Sequence, residues 1–155
     1  MKPTLRRPLP VLLLAGLAAL CLAAGSTAQT APATSIALSL DASQVAQRIL
    51  HIQSEIPVAP GPLTLLYPKW IPGEHGPTGP LANLVDLHFS ANGKEIAWER
   101  DPVEMYALHL TIPPGATRLS VKADFLFPGE GGNFTAGPSA TDFLAVISWN
   151  TVALY

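Results

Sequence analysis

The side chains here with the widest chemical reach are four histidines, His51, His75, His88 and His109. A zinc peptidase sets two imidazoles one helical turn apart, with a glutamate beside the first, so that both reach one metal. No two of these histidines are four residues apart. His51, His88 and His109 fall in segments whose apolar alternation predicts strands, and they read as surface or core-edge residues. A hydrolase elbow needs Gly-x-Ser-x-Gly. Gly137-Pro138-Ser139-Ala140-Thr141 lacks the second glycine and reads as a proline-rich loop. Gly129-Glu130-Gly131-Gly132 has no lysine after it, and Glu130 would repel an anion, so it is no phosphate loop. Gly73, Gly76 and Gly79 recur at collagen spacing, but three triplets are too few for a triple helix. Asn133-Phe134-Thr135 is a glycan acceptor only in a host that glycosylates exported chains.

One segment keeps its interest: Tyr67-Pro68-Lys69-Trp70-Ile71-Pro72-Gly73-Glu74-His75-Gly76-Pro77-Thr78-Gly79-Pro80. It holds four prolines, three glycines, two aromatics (Tyr67 and Trp70) and an adjacent Glu74-His75 pair. Prolines fix φ and glycines permit turns that other residues resist, so the loop is preorganised. It is either a structural corner or a recognition surface. Glu74 and His75 are adjacent titratable groups on it, and with Trp70 they are the candidate substrate-binding residues if the loop is a recognition surface.

The elements that must position this loop are strands. Sixteen prolines among 155 residues oppose a mainly helical chain, since an interior proline costs a helix about 3 kcal/mol. Nine basic against eleven acidic residues give no electrostatic footprint for nucleic acid. Lys2, Arg6 and Arg7, the apolar run 11–24 and the small residues Ser26-Thr27-Ala28 together read as a signal peptide, 1–28. At 14 residues that apolar run is short of the roughly 20 that span a bilayer. Cleavage would leave 127 residues with net charge −5 and no cysteine, because Cys21 lies in the removed part. Thiol catalysis, thiolate metal sites and disulfides are then excluded.

After a short leader, 29–34, apolar and polar residues alternate at the strand period through Ile36, Leu38 and Leu40. Asp41 to Gln47 reads as one helical turn capped by Asp41. Leu50, Ile52 and Ile56 share a strand face opposite His51, Gln53 and Glu55. A further strand begins at Leu63. Asn92-Gly93 marks a tight hairpin between Leu84-Val85-Asp86-Leu87-His88-Phe89 and a returning arm through Ile96-Ala97-Trp98. Strands also follow at Tyr106 to Ile112, along Leu119, Val121, Ala123 and Phe125, and from Phe143 to Trp149. About seven short strands with regular turn signals indicate an all-β, antiparallel β-sandwich. The apolar ending Val152-Ala153-Leu154-Tyr155 reads as a sandwich incomplete at its C-terminal end.

The 67–80 segment resembles the signature of the amino-terminal domain of metallopeptidase family 61, the glycyl aminopeptidases. Asn92-Gly93-Lys94, Trp98-Glu99-Arg100-Asp101, Trp149-Asn150 and Leu154-Tyr155 add to the likeness, which runs over 35–155. The resemblance implies an exported or cytoplasmic parent with an amino-terminal β domain, a zinc catalytic domain bearing His-Glu-x-x-His, and a PDZ domain. None of those catalytic positions occurs in this sequence. The resemblance therefore implies no catalytic residue and no metal here, with zinc only in the catalytic domain. It also implies a non-catalytic β domain that supports or caps that catalytic domain in the periplasm or outside the cell, with peptide as the substrate. The competing expectation is a stand-alone exported module for peptide or sugar, with Trp70, Trp98 and Tyr106 as its stacking platform.

Overall fold

The computed structural model describes residues 35–128 and 138–155. The expected signal peptide and leader, the glycines of 129–132 and Asn133-Phe134-Thr135 lie outside the described residues. Alternation becomes ten strands: β1 (Ala37–Asp41), β2 (Ile49–Pro57), β3 (Gly61–Leu66), β4 (Leu84–Ala91), β5 (Lys94–Ile96), β6 (Trp98–Arg100), β7 (Ala107–Ile112), β8 (Arg118–Leu126), β9 (Ser139–Ala140) and β10 (Ala145–Val146). Single 3-10 turns occur at Val45–Gln47, Leu81–Asn83 and Trp149–Thr151. A five-stranded sheet runs β1-β2-β8-β4-β5, a three-stranded sheet runs β3-β7-β6, and β10 pairs with β9. Every pairing is antiparallel. The all-β reading holds.

Inner faces of the two larger sheets share one core. Leu50, Ile52 and Ile56 of β2, Phe89 of β4, and Leu119, Val121, Ala123 and Phe125 of β8 face Leu65 of β3 and Leu108, Leu110 and Ile112 of β7. Phe89 meets Trp98 edge to face at 5.9 Å, and Phe125 meets Phe127 likewise at 5.8 Å. Such pairs add to the area they bury. Among the described residues no buried side-chain polar atom lacks a partner.

Turn chemistry decides where the chain reverses and where it changes sheets. Asn92 (φ 51°) and Gly93 (φ 73°) occupy the left-handed region that a two-residue hairpin requires, so Ala91 pairs with Lys94. Pro113-Pro114-Gly115 also turns the chain, with Gly115 at φ 78° and the Ala116 N–H donating to the Pro113 carbonyl. That turn carries the chain from β7 in one sheet to β8 in the other.

Three local expectations need correction. The arm Ile96-Ala97-Trp98 is not one strand: Ile96 pairs with Phe89, whereas Trp98 pairs with Leu110 of the opposite sheet. Asp41 ends β1 and caps only a bend, accepting from the Ser43 N–H at 2.8 Å, while the 3-10 turn starts later without a side-chain cap. Phe143 to Trp149 holds only the two-residue β10 before a 3-10 turn. Phe143 and Leu144 lie in a bend where Thr141 Oγ1 accepts from both backbone N–H groups, which removes them from a ladder. In addition, β4 carries a bulge between Val85 and His88, with Asp86 at φ 49°. The extra residue lets Leu84 and Phe89, an odd number apart, both face the core.

Phe125 is fully buried on β8, the strand paired with both β2 and β4. Phe125→Ala is expected to cost about 3–5 kcal/mol, against less than about 1.5 for Phe125→Leu with repacking. Urea unfolding of the two variants beside the parent chain measures the difference. Equal midpoints would mean that the core is not packed around this ring.

Candidate functional site

The preorganised loop 67–80 leaves β3 through Tyr67, which is buried and donates from its hydroxyl to the Thr151 carbonyl at 2.6 Å. Burial pushes that phenol's pKa up, with the nearby Tyr106 adding to the effect, so it stays a neutral donor. Ile71-Pro72-Gly73-Glu74 forms a turn with the Glu74 N–H on the Ile71 carbonyl and Gly73 at φ 90°. Proline second and a positive-φ glycine third suit a type II turn. The Gly79 N–H then returns to the Lys69 carbonyl at 3.0 Å, closing the loop on itself.

Tyr106 forms the floor of this loop. Its hydroxyl lies 3.0 Å from the Pro77 carbonyl and 3.2 Å from that of Gly79. The backbone is so close here that a Cβ on Gly79 would sit 1.9 Å from the Pro68 oxygen and 3.1 Å from the Tyr106 ring. Lys69 spans the gap from above: its ammonium lies 5.6 Å from the Tyr106 ring centroid and donates to Glu104 Oε2 at 2.6 Å. The Lys69 hydrogen bond holds the Glu104 carboxyl below its ordinary pKa.

Glu104 is placed in turn by Asp101. Asp101 Oδ1 accepts from the backbone N–H groups of Val103 and Glu104, both at 2.8 Å, and Oδ2 lies 2.9 Å from His109 Nε2. These bonds, with His109 the largest, hold the Asp101 carboxyl at a pKa of about 2. On the far side of the ring, His109 Nδ1 lies 3.0 Å from Thr64 Oγ1. Thr64, His109 and Asp101 are the residue types of a hydroxyl–imidazole–carboxylate relay, and sequence spacing gave no sign of it. Here they bind β3, β7 and the 101–106 turn together. Thr64 and His109 stand opposite each other on the outward face of the β3–β7 ladder, beside an open groove of about 590 Å³ that Pro62, Glu99 and Thr111 also line.

The candidate substrate-binding residues have different settings. Trp70 is 63% exposed and His75 is exposed, while Glu74 is half-buried. Among the described residues neither the Glu74 nor the His75 side chain makes a hydrogen bond, and the two are not paired to each other. The loop holds all three on one rigid corner. Of the expected stacking platform only Trp70 is presented. Trp98 turns inward onto Phe89 and donates from Nε1 to the Leu87 carbonyl, and Tyr106 is buried beneath Lys69. Strand alternation sends both rings to the core side, so the platform does not form.

The strand histidines are likewise satisfied. His51 Nδ1 lies 2.6 Å from Asp124, and His88 lies between Glu95 at 2.8 Å and Asp86 at 3.1 Å. Those two carboxylates, Glu95 foremost, raise the His88 pKa. Among the described residues no group of three histidine, cysteine, aspartate or glutamate side chains is arranged to hold a metal ion.

A second feature gathers at the end of the sandwich that bears this loop. Leu66, Trp70, Met105, Trp149 and Tyr155 are all exposed there. The Leu66–Tyr155 backbone pair, the Tyr67–Thr151 bond and the Lys69–Glu104 ion pair bring the segments that carry them to this end. Exposed apolar clusters of this kind mark interaction surfaces.

Two outcomes check the geometry. Gly79→Ala is expected to lower stability by roughly 3 kcal/mol or more, because backbone must move. Gly76→Ala, where the nearest atom is 3.9 Å away, should be nearly silent in the same thermal melts. Asp101 tests the electrostatics. A carboxyl more acidic folded than unfolded stabilises fully above its ordinary value of 3.8, and that contribution fades as pH falls toward about 2. Asp101→Asn should therefore lower the melting temperature at neutral pH, and its deficit should shrink through that window. A constant deficit would mean that the ionised carboxylate is not what stabilises this turn.

The family model described as the Peptidase M61 N-terminal domain matches residues 37–155. No match was found among curated proteins. Among solved structures, a crystal structure of an aminopeptidase N family protein from Idiomarina loihiensis is similar, with TM-score 0.65 and 14% identity over 77% of this chain and 19% of that one. The chain thus spans about a fifth of that protein's length, and at this identity the likeness concerns the fold. With its all-β sandwich and its 67–80 corner covered by a match running from β1 to Tyr155, this chain belongs to the peptidase M61 N-terminal domain family.

Proposed function

We propose that this chain is the amino-terminal domain of an exported zinc aminopeptidase, supporting and capping a catalytic domain through the apolar end of the sandwich. The observation that carries the reading is the cluster of Leu66, Trp70, Met105, Trp149 and Tyr155 on one end of a domain from a peptidase family. Five large apolar side chains held in water at one end favour a partner surface that covers them. In this reading zinc and the water it activates reside in the catalytic domain, and this chain supplies no reacting group. The corner bearing Trp70, Glu74 and His75 would lie toward the substrate end of the cleft, where His75 and Glu74 are free to meet a peptide. Residues 1–28 would direct export to the periplasm or beyond, and a PDZ domain would complete the full-length protein.

The docking surface is tested by Trp149→Glu. Trp149 is 67% exposed, so in this chain alone the substitution should move stability by no more than about 0.5 kcal/mol. In the full-length protein the same change should cost about 2 kcal/mol or more, because a charge would be buried in the interface. Equal effects in the two would overturn the reading. This chain mixed with zinc should hydrolyse glycine or alanine anilides no faster than buffer, and measurable turnover would place chemistry in the β domain after all.

A further inference from the structure

Taking the reading of this chain as one domain of a longer peptidase, we infer that the outer edge of β3 accepts one more strand. The polypeptide leading from Tyr155 toward the catalytic domain fills that edge, antiparallel and in a register set by Leu66 and Tyr155.

β3 is an outer strand of the three-stranded sheet, bonded to β7 on one side only. The Tyr67 N–H donates to the Tyr106 carbonyl across that seam. Antiparallel bonding alternates every second residue, so Leu65, Leu63 and Gly61 also direct their backbone groups to β7, opposite Leu108, Leu110 and Ile112. Leu66, Thr64 and Pro62 direct theirs outward. Leu66 has found a partner there: its N–H donates to the Tyr155 carbonyl at 2.8 Å, and the Tyr155 N–H donates back at 3.1 Å. That reciprocal exchange is one rung of an antiparallel ladder. Among the described residues no strand continues it.

The next rung lies at Thr64, which offers both an N–H and a carbonyl. The one after lies at Pro62, which offers only a carbonyl and ends the ladder. Side-chain directions follow the same register. Tyr155 is exposed like its partner Leu66, while Leu154 and Leu65 are buried. The residue after Tyr155 therefore turns inward beside Leu65, and the one opposite Thr64 turns outward. Leu63 points to the core yet stays half-buried, as an inward side chain does when the edge beside it lacks a neighbour. A second copy of the chain fits poorly, because Tyr155 occupies Leu66 and Pro62 lacks a donor, leaving one full rung. The residues after Tyr155 are tethered at the edge, with an effective concentration in the millimolar range.

Amide hydrogen exchange at Thr64 reads the occupancy directly. It is compared in this chain, in the chain lengthened by about six of its natural following residues, and in the full-length protein. Lengthening should slow the Thr64 amide by about tenfold or more, with the full-length protein equally slow and the Leu66 amide little changed. A Thr64 amide as fast in the lengthened chain as in this one overturns the inference. Slow exchange in the full-length protein alone also overturns it, assigning the edge to another segment while leaving the docking reading intact. Conversely, slow exchange on lengthening together with a silent Trp149→Glu would keep the added strand and remove the docking surface. Thr64→Pro deletes the outward N–H and the hydroxyl bond to His109 but spares every backbone bond to β7. It should destabilise the lengthened chain more than this one, and Thr64→Val, which loses only the hydroxyl bond to His109, should not show that difference. Equal Thr64→Pro costs in both chains would overturn the inference.

Discussion

A two-sheet sandwich leaves its core open at each end, and at the end bearing loop 67–80 the closure depends on the Tyr106 ring. The ring is buried where β7 begins, its hydroxyl meets two loop carbonyls, and its outer face carries the Lys69 ammonium. Remove that floor and the Pro77 and Gly79 carbonyls lose their donor in a nearly dry setting, where an unmade bond costs about 1–3 kcal/mol. Gly79 sits against the Pro68 backbone at a distance no side chain tolerates. Gly79 is thus a requirement of one close approach between two stretches of backbone, and Gly73 of the turn it makes at φ 90°. Rigidity at Trp70, Glu74 and His75 follows from it.

The same end shows how a carboxylate can order a sheet without doing chemistry. Asp101 binds two turn amides with one oxygen and His109 with the other, and His109 reaches Thr64 on the neighbouring strand. Each bond is partly exposed and modest in water. Their value lies in direction: they hold Glu104 under Lys69, and Lys69 over Tyr106. His51 and His88 repeat the pattern on the five-stranded sheet, each beside a carboxylate from a neighbouring strand. Histidines spent on such pairs are not converging on a metal.

Much of this was legible in the sequence, for reasons that differ by element. β2 and β8 announced themselves because both alternate cleanly and both are central, so each inward residue meets an apolar neighbour. The Asn92-Gly93 hairpin was legible because few other residue pairs accept two positive φ angles. The bulge at Asp86 was not, since an inserted residue leaves the local composition unchanged. Nor was the sheet change at Ala97, which depends on Trp98 finding Phe89. The Phe143–Trp149 segment misled because apolar content there serves exposure as well as burial: Trp149 faces water while Val152 and Leu154 face the core. The corner's residues were visible in advance, but their partners Glu104 and Tyr106 are distant in sequence and had no signature.

An apolar end and an unfilled edge are liabilities for a domain standing in water, and their placement is therefore informative. Natural sheets protect edges with prolines, charges or short strands. β1 bears Asp41, β5 bears Lys94 and Glu95, and β6 bears Glu99 and Arg100 at the opposite side of its sheet. β3 carries Pro62 at its far end only, while its near end, from Thr64 to Leu66, has no charge and meets the exposed aromatics directly. On β3 the uncharged stretch lies beside Tyr155, where backbone pairing has already begun. In the proposed reading that uncharged stretch, with the exposed side chains beside it and the rigid corner next to it, forms the joint with the catalytic domain.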